Sequence, residues 1–310
     1  MTVYPGAGNS AVFRNTDLPA LFHHTDTVAV ARQREAIGFA RSQLLLLVVG
    51  AAAAVLPSSL AMGGDLRLPG ALSALAYAGV LLLGYRASRR GAKSQWHLNR
   101  SAAEYIKSMC WRYSVHGAPF DNPPADQDGL YIKRIEDGLR ELAKVGWKDP
   151  RTTMPEIAEQ DLITPAMRRL RAQPFGIRRE TYVRDRLIEQ RNWYHRSAEN
   201  SRRATRTWSF GIGLLTLLAL FLSLLHTFAL LDSPGVPGAL SAAALGCLAW
   251  SEMRRHQPLI AAHSLVEEDL AAMHRAMENS VTDAQWPSAV YETERIVSPQ
   301  HTDWLARHRG

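Results

Sequence analysis

Cysteine is scarce in this chain: Cys110 and Cys247 are the only two in 310 residues. One follows an apolar block and the other sits inside a second block, so no structural disulfide is expected, and neither has a His or Cys close by to make a metal site. Catalytic signatures are missing too. There is no Gly-rich phosphate loop, no Gly-x-Ser-x-Gly elbow and no Cys/His metal spacing. The nearest approaches to a metal or acid/base cluster are His23-His24 with Asp26 and His301 with Asp303. They are spaced so loosely that surface histidines describe them better. Neither an enzyme activity nor a cofactor is expected. The first forty residues also lack the basic start and apolar run of a signal peptide, so apolar segments further along would act as their own insertion signals.

Charge is absent where it matters most. The mean hydropathy of −0.16 averages over two apolar blocks and a polar, Arg-rich remainder. Residues 43–62, 68–85 and 208–231 contain no Asp, Glu, Lys or Arg, and residues 236–253 contain only Glu252. A helix needs about 20 apolar residues to cross the hydrocarbon core of a bilayer. The expected fold class is therefore an all-α membrane protein: two repeated transmembrane helical hairpins (four spans) with long amphipathic cytoplasmic helices. The fourth segment is short and Ala-rich, with Pro237 at its start, which leaves a tilted or re-entrant path open. Gly63, Gly64, Pro69 and Gly70 punctuate the first hairpin turn; Asp232, Ser233, Pro234, Gly235, Pro237 and Gly238 punctuate the second.

The formal net charge is +7. Its distribution points to lipid headgroups rather than nucleic acid. Arg41, Arg86, Arg89, Arg90 and Lys93 flank the first block, and Arg202, Arg203, Arg206, Arg254 and Arg255 flank the second, whereas the two turns share one basic residue, Arg67. Positive flanks stay in the cytoplasm. Both turns should then face outward, with the N-terminus, the central region and the C-terminus inside.

An internal repeat accompanies this layout. Pro69-Gly70-Ala71-Leu72-Ser73-Ala74 recurs as Pro237-Gly238-Ala239-Leu240-Ser241-Ala242, and Arg89-Arg90 recurs as Arg254-Arg255. Two copies of one module are implied: an N-terminal tail over 1–20, a first module over 21–125, a helical connector over 126–175 and a second module over 176–310. Small residues at four-residue spacing, Gly70, Ala74 and Ala78 in one copy and Gly238, Ala242 and Gly246 in the other, are candidates for close helix packing, within the chain or between subunits. In the third span Ser209, Thr216, Ser223 and Thr227 share one face. They are candidates to line a pore in an oligomer. The plainer alternative, hydroxyls bonding back to their own helix carbonyls, weighs more because no span carries a charge at its middle.

The polar remainder reads as helices over 102–115, 130–145, 155–170, 177–206, 261–279 and 290–307, with a Pro- and Asp-rich loop over 117–129. Their apolar faces have no large globular core in view to receive them, so they are expected to pack on each other, on the other repeat or on other subunits. Trp96, Trp111 and Trp193-Tyr194 are expected near the membrane interface.

Three clusters carry a family resemblance. The first is Ala103-Glu104, Lys107, Trp111-Arg112-Tyr113 and Pro119-Phe120. The second is Thr164, Met167 and Leu170-Arg171. The third is Tyr182, Arg186-Leu187, Gln190, Trp193-Tyr194, Ala198 and Asn200. With the stretch from Glu294 to Trp304, they resemble tandem SLATT domains, the SMODS and SLOG-associating two-transmembrane effector family of bacteria. Gln300 stands where such domains often carry an acidic residue. The resemblance implies a multi-pass protein of the bacterial inner membrane that acts in a conflict system by oligomerising and perturbing the membrane. It also implies a nucleotide-signal sensor or synthase as a possible partner protein. A non-conducting membrane scaffold binding cytoplasmic partners is the alternative.

Overall fold

Apolar side chains at helical spacing, broken by Gly and Pro, dictate the local structure. The computed structural model describes residues 12–56, 68–121, 126–228, 235–254 and 256–297, and every regular element among them is helical. The elements are α1 (Ala20–Ala54), α2 (Leu68–Arg90), α3 (Ala92–Ser114), α4 (Gln127–Lys144), α5 (Pro155–Ala158), α6 (Pro165–Arg171), α7 (Phe175–Tyr182), α8 (Glu189–Thr227), α9 (Gly235–Arg254), α10 (His256–Asn279) and α11 (Trp286–Val297), with a π-helical segment, Val183–Ile188, between α7 and α8. Both hairpin turns, the outer end of the first span, Arg255 and the tail with His301 and Asp303 lie outside the described residues.

Three stretches among the described residues are long and apolar enough to cross a membrane: Ala20–Ala54, Leu68–Ser114 and Phe175–Thr227. α9 is a 20-residue helix, but it is not among the three.

The chain divides into two compact units. One takes the residues through Ala31, Ser94–Arg196 and those from His263 onward; the other takes Arg32–Lys93 and Ser197–Ala262. The second is the hairpin unit. In it, α1 is gripped on two sides. Ser73 Oγ of α2 donates to the Gly50 carbonyl at 2.9 Å, and a methyl at Gly79 would stand 3.0 Å from Leu46. On its other side Val48 and Val55 of α1 meet α9: a methyl at Gly246 would stand 2.7 Å from Val48, and one at Gly235 would overlap Val55. At about 100° per residue, Leu46 and Gly50 lie opposite Val48 and Val55. α1 therefore runs between α2 and α9.

The first unit, the helical unit, has a core that the sequence reading did not expect. Tyr131, Ile135, Leu139 and Leu142 bury one stripe of α4, against Ala102, Ile106 and Cys110 of α3 and Met167 and Leu170 of α6 in one cluster. The partners of each amphipathic face come from segments far apart in sequence, which is why no core could be seen from any one of them. The helix expected over 155–170 is also interrupted. Pro165 can start a helix but disfavours helical backbone at the residue before it, so Thr164 becomes an N-cap, accepting from Met167 N at 3.3 Å. Trp111 is 2% exposed within this core, not at an interface.

Candidate functional site

The hydroxyl stripe lies on the apolar part of α8, within a candidate span. Thr216 Oγ1 donates to the Ile212 carbonyl at 2.8 Å, Ser223 Oγ to that of Ala219 at 2.8 Å, and Thr227 Oγ1 to that of Ser223 at 2.9 Å. The donated proton stays within the helix, and the residues Ser209, Thr216, Ser223 and Thr227 are all exposed. So is most of the helix around them. Phe210, Leu217, Phe221 and Phe228 are each more than half exposed, and only Ala219 is buried in this stretch.

The small-residue stripes are placed differently in the two repeats. Gly246 lies against Val48, Ala242 is half-buried and Gly238 has nothing within 4 Å of an added methyl. In α2, Ala74 and Ala78 are exposed and Gly70 is open. The buried face of α2 is Pro69, Ser73 and Ala76.

The basic flanks keep their charges in solvent. Arg86, Arg203 and Arg206 are exposed. Arg89 donates to Tyr85 Oη at 2.9 Å, Arg90 pairs with Glu35 at 2.7 Å, Arg202 pairs with Glu199 at 2.7 Å, and Arg254 lies 5.9 Å from the Trp250 ring centre. Such exposed pairs contribute little to stability.

The helical unit holds a feature of a different kind. The π segment directs Arg186 into the core, where its Nε and Nη2 donate to Oε1 and Oε2 of Glu294 in α11 at 2.9 and 2.7 Å. Both side chains are 1% exposed, and Tyr182 Oη donates to the same carboxylate at 3.0 Å. Burial works against the Arg186 charge, and the Glu294 carboxylate overrides it and holds the guanidinium above its ordinary range. Trp111 and Trp286 stack edge-on against Tyr182, with centroids at 5.7 and 5.6 Å. Lys107 completes the cluster. Burial, then the Arg186 charge, push its ammonium down to about 8, against the pull of Glu104, Glu189 and Glu294. Removing one partner of such a pair costs about 3–5 kcal/mol, because the other charge is left buried and alone.

Arg112 and Arg171, which also carry the resemblance, and Trp286 tie the chain together around this centre. Arg112 Nε donates to the Ala118 carbonyl at 2.7 Å, Arg171 Nη2 to that of Phe120 at 3.0 Å, and Trp286 Nε1 to that of Val115 at 2.7 Å. They fix the segment after α3 to α6 and α11. The structure thus brings Lys107, Tyr182, Arg186 and Glu294 together, and the last three act as a fastening. Sequence reading quoted all four without linking them, since Arg186 and Glu294 are 108 residues apart. Of the loosely spaced acid and histidine groups, Asp26 is engaged by Arg100 at 3.0 Å.

Comparison with known families gives two matches. The model for SMODS and SLOG-associating 2TM effector domain 3 matches residues 19–179, and that for SMODS and SLOG-associating 2TM effector domain 1 matches residues 182–304. No curated protein and no solved structure matches the chain. The matched halves cut across the compact units: each half supplies one hairpin to the hairpin unit and its polar helices to the helical unit.

Proposed function

This chain belongs to the SLATT family, with two SMODS and SLOG-associating 2TM effector domains in tandem, and from that premise we propose that it is a bacterial membrane effector that perforates or perturbs the inner membrane on oligomerisation. SLATT domains are two-transmembrane effector domains linked to conflict and anti-phage systems. In this reading α9 is a fourth span beside the three longer candidates, both hairpin turns face outward, and both termini lie in the cytoplasm with the arginine flanks. A nucleotide-signal sensor or synthase protein supplies the trigger through the helical unit. No catalytic group is required.

The observation that supports it best is the exposure of α8. A helix of large apolar side chains carries a hydroxyl stripe on one face that no described residue buries. In an oligomer the apolar faces would meet helices or lipid and the hydroxyl stripe would face water. The scaffold reading draws on the same hydroxyls: each of the three bonds back to its own helix, as in spans that only anchor.

Efflux of potassium and of a small dye from liposomes containing the purified protein separates the two. Leakage that follows crosslink-verified oligomers, and is altered by Thr216→Leu with Ser223→Leu, is the expected result. Tight liposomes holding inserted oligomers, with and without added nucleotide second messengers, would leave the scaffold.

A further inference from the structure

The internal repeat makes one interface in this chain comparable with another that is missing. Counting from the shared Pro-Gly-Ala-Leu-Ser-Ala segment, each position in α2 corresponds to the position 168 residues later in α9, since Pro69 matches Pro237. The equivalence holds in burial at Ala76 and its counterpart Ala244, both buried, and not at Ser73, which is buried where Ser241 is exposed. In α2 this is the face that meets its hairpin partner α1, through Ser73 and Ala76. α9, however, has a second occupied face. Gly235 and Gly246, on one side of the helix at about 100° per residue, take Val55 and Val48 of the other module's first span. The counterpart of Gly246 is Ala78. It is exposed, as is Ala74; Gly70, like its counterpart Gly238, has nothing within 4 Å of an added methyl among the described residues.

What seats on that face in α9 is the first span of the other module, running antiparallel. The other module's first span for α2 is α8. A second copy of this chain would present α8 with its large apolar ridge unpaired: Phe210, Leu214, Leu217, Phe221, Leu224 and Phe228 fall within about 80° of one another and are all exposed. A ridge of Phe and Leu against a groove of Gly and Ala is the shape match that close packing of membrane helices uses. We infer that the α2 face of Gly70, Ala74 and Ala78 binds α8 of a second copy of this chain, repeating between chains the contact that α9 makes with α1 within one. The two surfaces differ, so the contact is head-to-tail and adds copies into a ring or an open row. The inference rests on the proposed effector reading for the bilayer and the oligomer, not for conduction.

Disulfide mapping in native membranes tests it, in a Cys247→Ser background with Cys110 left in the core. Ala78→Cys combined with Leu217→Cys or Phe221→Cys should give a ladder of dimers and higher species on oxidation, while each single cysteine gives none. Ala78→Trp with Phe221→Cys and Ala74→Cys should lose the ladder while the intrachain Leu46→Cys/Gly79→Cys bridge still forms. A dimer from Ala78→Cys alone would mean that two α2 faces meet and would overturn the inference. So would absence of every intermolecular bridge in protein whose intrachain bridge forms, which would leave lipid on both faces. A ladder with tight liposomes removes the pore and keeps the interface; leakage without the ladder does the reverse.

Discussion

Lys107 is the residue at which the helical unit works against its own stability. Its ammonium falls from 10.5 to about 8 because burial and Arg186 disfavour the charge. The folded protein therefore holds fewer protons than the unfolded chain between these values, so stability rises with pH across that window. The penalty is fully present below about pH 8 and gone above 10.5. Lys107→Met, which keeps the apolar stem, should stabilise the protein by about 1–3 kcal/mol at pH 7, with the gain fading toward pH 10.5. Denaturation of the detergent-solubilised protein at both pH values measures it. Taking the difference between the two proteins cancels Tyr113, whose phenol burial raises to about 12. A less stable variant at pH 7 would mean that Glu104, Glu189 and Glu294 outweigh the burial of Lys107.

Among the elements, α1 depends most on what its neighbours lack. Gly246 of α9 leaves room for Val48 and Gly50 of α1 leaves room for Tyr77 of α2. Gly246→Leu should cost about 1–3 kcal/mol by overpacking, read as a lower melting temperature in detergent, whereas Gly211→Leu in α8, where no described residue lies within 4 Å of an added methyl, should not. The apolar runs and their Gly/Pro breaks were legible in the sequence because lipid imposes the same requirement on every residue of a span. Gly246 also stood out there by its four-residue spacing. What it packs on did not, because Val48 lies in another module. The π segment left no mark in the residues either, and a wide core assembled from α3, α4, α6 and α11 cannot be inferred from faces read one helix at a time. The break at Pro165 was legible in principle: Thr-Pro is an N-cap followed by a first-turn proline.

For the whole molecule, the proposed topology with cytoplasmic arginine flanks makes a testable statement about sidedness. In a Cys247→Ser background, Asp232→Cys should react with an impermeant maleimide in intact spheroplasts, while Glu159→Cys and Glu278→Cys should react only after lysis. Labelling of Glu278→Cys from outside would mean that α9 does not cross.

The crossed composition of the two compact units reaches further than topology. The seam between residues 179 and 182 is a boundary only along the thread; in space, each unit is woven from both sides of it. A protease that cut there would release nothing, and a gene split there would leave two products, each with part of a core, and would part Trp286 from the Val115 carbonyl to which it donates. Whatever history joined the modules, their inheritance is now indivisible: Arg112 and Trp111 of one half rest on the rings of Tyr291 and Tyr182 of the other.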